Sequence, residues 1–415
     1  MKMKTLMKSL GPGLMWAAAA IGVSHLVQST RAGASYGFQL LWLIFVINLF
    51  KYPFFEFGPR YAAATGETLL RGYQRLGKWA VYVYAILTFG TMFAIQSAVT
   101  IVTAGLFTNV FGIMDIYGWT VILLLVSVII IVVGRYSLLD KMIKFIIIIL
   151  TVATVIAVVS AFFKGFNPNP EFIKSFNWEF TDVAFLIAFA GWMPSAIDIS
   201  VWHSFWTVAR KEETGYAPKV KEALFDFNVG FIGTAFLSVG FLALGAIVMY
   251  GSGEEFASSG TAFAGQLINL YTSTIGSWAY ILISIAALTT MFSTTLTCLD
   301  AYPRVLNPLT MMIITRLKTK KRKQFIHFFW IATMVIVSYI IIRFYASSMK
   351  VLVDFATTLS FLTAPVLGYM NLKVVMGKNV PESDRPKPWL RVLSWIGLVA
   401  LSGFGAWFLI WRFFL

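Results

Sequence analysis

Residues 191–198 have the sequence Gly-Trp-Met-Pro-Ser-Ala-Ile-Asp, and they interrupt an apolar segment that runs from about 181 to 209. Proline removes a backbone donor and kinks or ends the helix that precedes it. In hydrocarbon an unpaired backbone group is costly, so an interrupted helix persists only where it lines a protein-enclosed or water-filled site. The stretch therefore predicts a broken helix whose freed backbone faces a polar pocket.

A second interruption lies in the first apolar segment, where Gly22-Val23-Ser24-His25 separates the helix-forming run 17–20 from the more polar stretch 28–31. Glycine and proline also occur in membrane helices for packing reasons, so neither interruption is decisive alone. The two lie five segments apart, which is the separation expected when two inverted five-helix repeats each contribute one discontinuous helix to a shared site.

The composition excludes a soluble globular domain. The chain has 415 residues, of which 59% are hydrophobic and only 12% charged, and its mean hydropathy is +0.79. The net charge of +15 would suit nucleic acid, but the basic residues sit in short loops between apolar runs, which is the pattern that orients membrane helices. The predicted partners are the lipid bilayer and a small cation or solute, with no nucleic acid. The single cysteine, Cys298, excludes an intrachain disulfide.

About eleven segments are long and apolar enough to span a bilayer. Their approximate limits are 11–34, 37–64, 79–108, 117–134, 140–164, 181–209, 223–250, 265–300, 325–347, 350–376 and 389–414. The expected fold class is an all-α membrane protein with a 5+5 inverted repeat plus one helix. Its parts are a cytoplasmic leader (1–10), a first repeat (11–164), a second repeat (165–376), and a linker with helix 11 (377–415).

Lysine and arginine alternate between loops. The loops after even-numbered segments hold Arg71, Arg75, Lys78, Arg135, Lys141, Lys144, Arg210, Lys211, Lys219, Lys221, the run from Arg316 to Lys323, Lys373, Lys378, Arg385, Lys387 and Arg391. The loops after odd-numbered segments have almost none. This asymmetry predicts a multi-pass cell-membrane protein with a cytoplasmic N-terminus and Leu415 outside. The run 316–323 is either a topology anchor or a patch for lipid headgroups.

Several motifs resemble the Nramp family of divalent-metal transporters. They are Gly11-Pro12-Gly13, Ala32-Gly33-Ala34 with Tyr36-Gly37-Phe38 and Leu40-Leu41-Trp42, Ala64-Thr65-Gly66-Glu67-Thr68-Leu69, Gly134-Arg135, Met193-Pro194, and His203-Ser204. The resemblance implies the LeuT-type inverted-repeat fold, with a metal site where helices 1 and 6 are broken.

The sequence departs from the family pattern at the positions that the family uses for metal binding and proton coupling. The family's DPGN motif in helix 1 aligns with Gly22, Val23, Ser24 and His25, so its carboxylate and amide ligands are absent. The helix 6 motif MPHN aligns with Met193-Pro194-Ser195-Ala196, or in another register places Ala196 at the methionine and Asp198 at the histidine. Segment 3 has no Asp, Glu, Lys, Arg or His between Tyr82 and Phe107, which puts the family's usual proton coupling in doubt.

The candidate substrate-binding residues follow from the two interruptions. They are Gly22, Ser24, His25, Met193, Ser195, Ala196 and Asp198, of which His25, Met193 and Asp198 are the candidate metal ligands. His25 is alternatively a core histidine bonded to Ser24 or to a free carbonyl. Asp198 is alternatively a structural ion-pair partner or a helix cap, although an ionisable residue in a membrane helix suggests function by default.

A second group is assigned to gates or to the ion path. Its members are Arg31, Glu56, Arg60, Trp192, His203 and Asp226. Glu56 and Arg60 have the spacing of an intrahelical ion pair. Arg31 would repel a cation unless a carboxylate neutralises it.

Three functions remain open from the sequence. The first is a secondary transporter of a divalent cation, which would be the substrate, since no cofactor is expected. The second is a transporter of a small organic solute, and the third is a membrane scaffold or sensor that does not transport. An enzyme is not expected, because the sequence has no paired catalytic carboxylates and no His-x-x-x-His motif.

Overall fold

The structure of the chain is a computed structural model that describes residues 11–133, 136–165, 168–314, 319–345 and 347–414, with the side chains of all of these except 136–147 and 320. The leader 1–10, Gly134-Arg135, Arg316 and Lys318 lie outside the described residues, as do the side chains of Lys141 and Lys144. The described part is built from helices and their connections. The α-helices are α1 (Pro12–Ala20), α2 (Thr30–Tyr36), α3 (Leu41–Thr65), α4 (Leu69–Leu76), α5 (Lys78–Phe111), α6 (Ile116–Val133), α7 (Tyr136–Lys164), α8 (Phe180–Gly191), α9 (Ile199–Thr214), α10 (Val220–Val248), α11 (Gly260–Ile275), α12 (Ala279–Ile313), α13 (Lys320–Tyr345), α14 (Met349–Val375) and α15 (Pro388–Phe414).

Each of the eleven predicted segments corresponds to a helix or a pair of helices. Among the described residues, eight helices are long and apolar enough to cross a membrane: α3, α5, α6, α10, α12, α13, α14 and α15. Segments 1 and 6 are each divided in two. The first segment consists of α1 and α2, and the sixth consists of α8 and α9.

The predicted limits of segment 8 are wrong. Residues 260–275 form α11, and the long helix α12 begins only at Ala279. Gly276 separates them with a φ of 114°, a left-handed conformation that favours glycine and that no helix interior contains. The short helix α4 was also not predicted, because its strongly amphipathic sequence contains only eight residues and falls between two spans.

The two interruptions differ in length. In segment 6 the seven residues 192–198 are non-helical. In segment 1 only Ile21 and Gly22 leave the helix, and Ser24–Ser29 continue as one wide π-helical stretch before α2. At the entry to this stretch, the backbone N–H groups of His25 and Leu26 both bond to the carbonyl of Gly22.

Segment 1 packs backbone to backbone on α10. A Cβ atom on Gly13 would overlap the carbonyl of Asp226, and a Cβ on Gly33 would overlap that of Leu242. Small residues allow this close approach, which is typical of helix pairs in membranes. Both halves of segment 1 are thereby fixed against one neighbouring helix, and the interruption lies between the two contacts.

Burial separates inner from outer helices. About 67% of the apolar window of α5 and 72% of that of α12 is buried, compared with 28% for α6 and 33% for α13 and for α15. The helices α5 and α12 therefore line the interior together with segments 1 and 6. The outer helices present large apolar side chains such as Ile129, Ile336 and Val399 to the surroundings.

Candidate transport site

The two interruptions share one pocket in the interior of the bundle. Its lining comes from α1 and the wide turn that follows it, from α5, from the break in segment 6, and from α12. The lining residues are Ala19, Ala20, Val23, Ser24, Ile95, Val99, Trp192, Ser195, Ala196, Ile199, Trp202, Thr294 and Cys298. The space between these atoms is about 410 Å³, counting the part open to its surroundings. The lining contains hydroxyl groups, one thiol and two indole rings, but no charged side chain.

Three of the predicted binding residues, Ser24, Ser195 and Ala196, line this pocket, and so does Trp192, which was assigned to the gates or the ion path. Gly22 lies behind the lining, where it contacts the side chain of Thr294. His25, Met193 and Asp198 also lie outside the lining. Among the described residues, no group of three or more His, Cys, Asp or Glu side chains is arranged to hold a metal ion.

Asp198 precedes the first turn of α9 and is 2% exposed. Its carboxylate oxygen Oδ2 is buried and has no hydrogen-bond partner. It neighbours the pocket because the next residue, Ile199, is part of the lining. The hydroxyl groups of Tyr84 and Tyr302 are close enough to interact electrostatically with the carboxylate of Asp198. One oxygen of a buried carboxylate is therefore without a partner beside an otherwise neutral pocket.

His25 has partners at both ring nitrogens. Nε2 lies 3.0 Å from the carbonyl oxygen of Thr234, while Nδ1 lies 2.7 Å from the Ser24 hydroxyl and 3.0 Å from the carbonyl oxygen of Ala20. The side chain is fully buried. This is the arrangement of the core histidine that the sequence left open as one of two interpretations, and it joins the end of α1 to α10.

Met193 is also fully buried and lies within the interior core of the bundle. Its neighbour Trp192 lines the pocket, and the indole N–H of Trp192 donates a 2.8 Å hydrogen bond to Ser360 on α14. The break in segment 6 is thus attached to α14 through the indole ring, whereas the thioether packs away from the pocket lining.

Past the wide turn of segment 1, an ion pair joins α2 to α14. Arg31 lies 2.5 Å from Asp354, and its guanidinium group lies 4.5 Å above the ring of Phe185. The side-chain amide of Gln28 donates to the same carboxylate at 3.2 Å. Arg31 is therefore neutralised by a carboxylate, the condition under which it does not repel a cation.

At the other end of segment 1, the carboxylate of Asp226 binds the start of α1. Its carboxylate accepts hydrogen bonds from the backbone N–H groups of Gly11 at 3.1 Å and Gly13 at 2.6 Å. It also lines a small pocket with His203, Arg210 and Tyr216. Both ring nitrogens of His203 are buried without a hydrogen-bond partner.

The predicted pair of Glu56 and Arg60 is confirmed. The two side chains form a bidentate contact with distances of 2.5 and 3.0 Å, and Arg60 also donates to the carbonyl of Asp384 at 2.7 Å. Asp300 and Arg304, which are also four residues apart, form an ion pair at 2.6 Å. The pair on α3 links that helix to the segment before α15.

One functional candidate, Lys51 on α3, was missed by the sequence analysis. Its ammonium group is fully buried and donates to the carbonyl oxygens of Ala190 and Gly191 at 2.7 Å each and of Ser195 at 3.3 Å. A lysine inside an apolar segment is a visible signal. Its partners were not visible, because they are backbone carbonyls of the break in segment 6.

A neutral pocket between two interrupted helices, inside a bundle of long apolar helices, is the architecture of a multi-pass membrane transporter. Residues 13–411 match the sequence model of Nramp, described as natural resistance-associated macrophage protein-like. The chain belongs to this family of membrane metal-ion transporters, as the motifs predicted. It is 37% identical over 401 residues to an uncharacterised protein of Pasteurella multocida, a match that covers 95% of this chain and 90% of the relative.

Solved structures confirm the predicted fold class. A manganese transporter of Eremococcus coleocola, crystallised with an aromatic bis-isothiourea compound, superposes with a TM-score of 0.70 at 14% identity, covering 97% of this chain and 86% of the other. MhsT in complex with L-phenylalanine gives a TM-score of 0.64 at 14% identity, with coverages of 95% and 98%. Both have the LeuT-type fold, so the similarity extends to transporters of quite different ligands.

Proposed function

We propose that the protein is a secondary transporter that moves a divalent cation by alternating access, with Asp198 supplying the negative charge that attracts the ion. Membership of the Nramp family supports a metal ion as substrate. The observation that carries the proposal is the buried carboxylate oxygen of Asp198, which has no partner beside a pocket formed by the two interruptions.

The other buried carboxylates of the described residues have partners. Glu56 and Asp300 are paired with arginine, although one oxygen of Asp300 is also buried without a hydrogen-bond partner. Asp226 accepts from backbone N–H groups, and Glu222 accepts from the hydroxyl of Tyr216 and the backbone N–H of Lys219. Asp182 accepts from Tyr36 at 2.8 Å and from the backbone of Asn177 at 2.9 Å. A buried carboxylate without such compensation is costly. A cation arriving in the pocket would provide the missing compensation at Asp198.

The neighbouring groups favour a hard cation. The lining residues carry three hydroxyl groups, those of Ser24, Ser195 and Thr294, against one soft group, the thiol of Cys298, whereas His25 and Met193 are not part of the lining. Oxygen ligands and retained water suit magnesium, manganese or calcium better than zinc or copper. The absence of Asp, Glu, Lys, Arg and His from residues 82–107 of α5 leads us to expect no proton route through that helix. We further propose that the N-terminus is cytoplasmic and Leu415 extracytoplasmic in the cell membrane.

The first test replaces Asp198 with asparagine, which keeps the shape and removes the charge. Uptake of magnesium, manganese, zinc and calcium is measured in proteoliposomes with the internal pH recorded. We expect Asp198→Asn to reduce uptake of the transported ion at least about 10-fold, the effect of losing roughly 1.4 kcal/mol of interaction. The matched control is Glu67→Gln, which removes an exposed carboxylate paired with Arg75 and should leave uptake unchanged. Unchanged uptake in Asp198→Asn would remove that carboxylate from the site.

A small organic solute is the second candidate, because the pocket lining is mainly apolar, carries two tryptophans and has no charge. Such a lining is typical of sites for organic ligands. Calorimetric titration separates the two candidates. Heat release with amino acids but not with divalent ions would favour the organic solute. Absence of uptake across both panels would favour a scaffold or sensor.

A further inference from the structure

Lys51 occupies the break in segment 6 as a cation would. Its ammonium group has three N–H donors, and three backbone carbonyls, those of Ala190, Gly191 and Ser195, lie within 2.7 to 3.3 Å. Every donor therefore has an acceptor. The side chain reaches this position from α3, the helix that neighbours the break, and it is fully buried.

The carbonyls are available because α8 ends there. Carbonyls at the C-terminus of a helix have no partner within the helix, and the helix dipole places partial negative charge at that end. Ser195 adds a carbonyl from the non-helical segment 192–198. Carbonyls released at the ends of half-helices are the groups that coordinate small cations in membrane transporters.

The frame that holds these carbonyls is rigid. Gly191 packs directly on the backbone of α14, since a Cβ atom there would overlap the carbonyl of Thr357. The adjacent Trp192 is attached to Ser360 of the same helix. The end of α8 therefore cannot easily turn its carbonyls toward other donors, so they need a cation or a donor that comes to them.

Lys51 also differs from the other buried cationic side chains. Arg31 and Arg60 each pair with a carboxylate. In the part of the chain that the structure describes, no carboxylate forms an ion pair with Lys51. Its positive charge is held by carbonyl dipoles alone, which is the way proteins bind alkali cations that have lost their water.

We propose that the break in segment 6 contains a monovalent-cation site formed by the carbonyls of Ala190, Gly191 and Ser195, and that the Lys51 ammonium is the cation that fills it. The chain then needs no dissolved sodium or potassium to hold α8 and α9 in place. The site adjoins the divalent-cation pocket, because Ser195 belongs to the lining of that pocket, whereas Ala190 and Gly191 do not.

If the Lys51 side chain is removed, a dissolved monovalent cation should be able to bind the three carbonyls in its place. The Lys51→Ala variant empties the carbonyl site, and its thermal unfolding is measured in detergent at constant ionic strength with ammonium, potassium, sodium or choline chloride. We expect its Tm to fall by roughly 5 °C or more in choline, given the loss of several charge-assisted hydrogen bonds. Ammonium or potassium should restore most of that loss with a saturable dependence, whereas the wild-type Tm should not respond.

Two further variants distinguish a cation site from ordinary packing or hydrogen bonding. Lys51→Met fills the space without charge, so its Tm should stay low in every salt. Lys51→Gln supplies neutral donors, so it should also remain well below the wild type. The proposal is overturned if Lys51→Ala shows no difference between choline and the small cations, or if Lys51→Gln is as stable as the wild type. The comparison of Met and Gln variants remains decisive even if Lys51→Ala cannot be extracted from the membrane.

Discussion

The hydroxyl group of Ser24 has two possible hydrogen-bond acceptors, one of which is His25. When the neutral imidazole donates from Nε2 to Thr234, its Nδ1 is an acceptor, and the Ser24 hydroxyl lies 2.7 Å from it. The same hydroxyl lies 2.6 Å from the carbonyl oxygen of Ala20, so it can serve only one acceptor at a time. The cluster fixes the end of α1 to α10 and gives His25 a positioning role at the interruption.

This role predicts the effect of replacing the histidine. His25→Ala should lower the free energy of unfolding by about 1–3 kcal/mol, because the buried carbonyl of Thr234 loses its donor. The ion selectivity of the remaining folded protein should not change. Thermal unfolding and normalised uptake measure the two effects, and His327→Ala on the outer helix α13 provides a histidine control. Altered ion selectivity with an unchanged Tm would instead make His25 a ligand.

The predictability of individual contacts depends on distance along the chain. The pairs Glu56–Arg60 and Asp300–Arg304 were predictable, because helix geometry alone brings residues four apart together. Arg31 and Asp354 are brought together only by the tertiary fold. The partners of Lys51 and Asp226 are backbone groups, whose availability depends on exactly where a helix ends. No side-chain pattern indicates such a partner.

At the scale of helices, α1 and α10 approach as closely as their glycines allow. Gly13→Ala would place a methyl group on the carbonyl of Asp226, so the start of α1 must move away from α10. We expect a fall in Tm and a loss of most uptake, since α1 lines the pocket. Gly90→Ala on α5 is the matched control, because a Cβ there meets nothing within 4 Å and should leave both measurements unchanged. Equal behaviour of the two variants would show that this contact does not position α1.

The helices that the sequence failed to predict are those outside the apolar pattern. The membrane-spanning helices were predicted because about twenty consecutive apolar residues have the length and composition needed to cross a bilayer as a helix. The helix α4 has a strongly polar face and α11 is only 16 residues long, so neither has the composition of a span. The division of segment 6 was predictable from Pro194, whereas the short interruption in segment 1 contains only glycine as a signal. The sequence therefore indicated where helix 1 changes but not that it continues as a π-helical turn.

At the scale of the molecule, a vestibule lies farther along segment 1 than the pocket does. The vestibule is formed by the end of α2, by the segment after α7, by the segment after α10 and by the start of α14, with Lys174, Glu254, Glu255 and Lys350 among its residues. These connections follow odd-numbered spans, which the distribution of basic residues assigns to the outside. The Arg31–Asp354 pair joins α2 to α14 at the boundary between the vestibule and the pocket. If the vestibule faces outward, this pair lies across the route from the outside to the pocket, and we expect it to close that route.

The single cysteine provides a direct test of that closure. Cys298 lines the pocket and is buried, so a membrane-impermeant thiol reagent added outside should react slowly with the wild type. Asp354→Asn removes the charge that holds Arg31, and it should increase the rate of outside labelling at least about 10-fold by weakening closure by roughly 1.4 kcal/mol. Arg75→Ala, which breaks an exposed pair with Glu67 on the opposite side, is the matched control, and Cys298→Ser gives the background. Arg31→Gln removes the other partner of the pair and should produce the same increase. Labelling that rises only from the cytoplasmic side, or not at all in either variant, would show that this ion pair does not close the outer route.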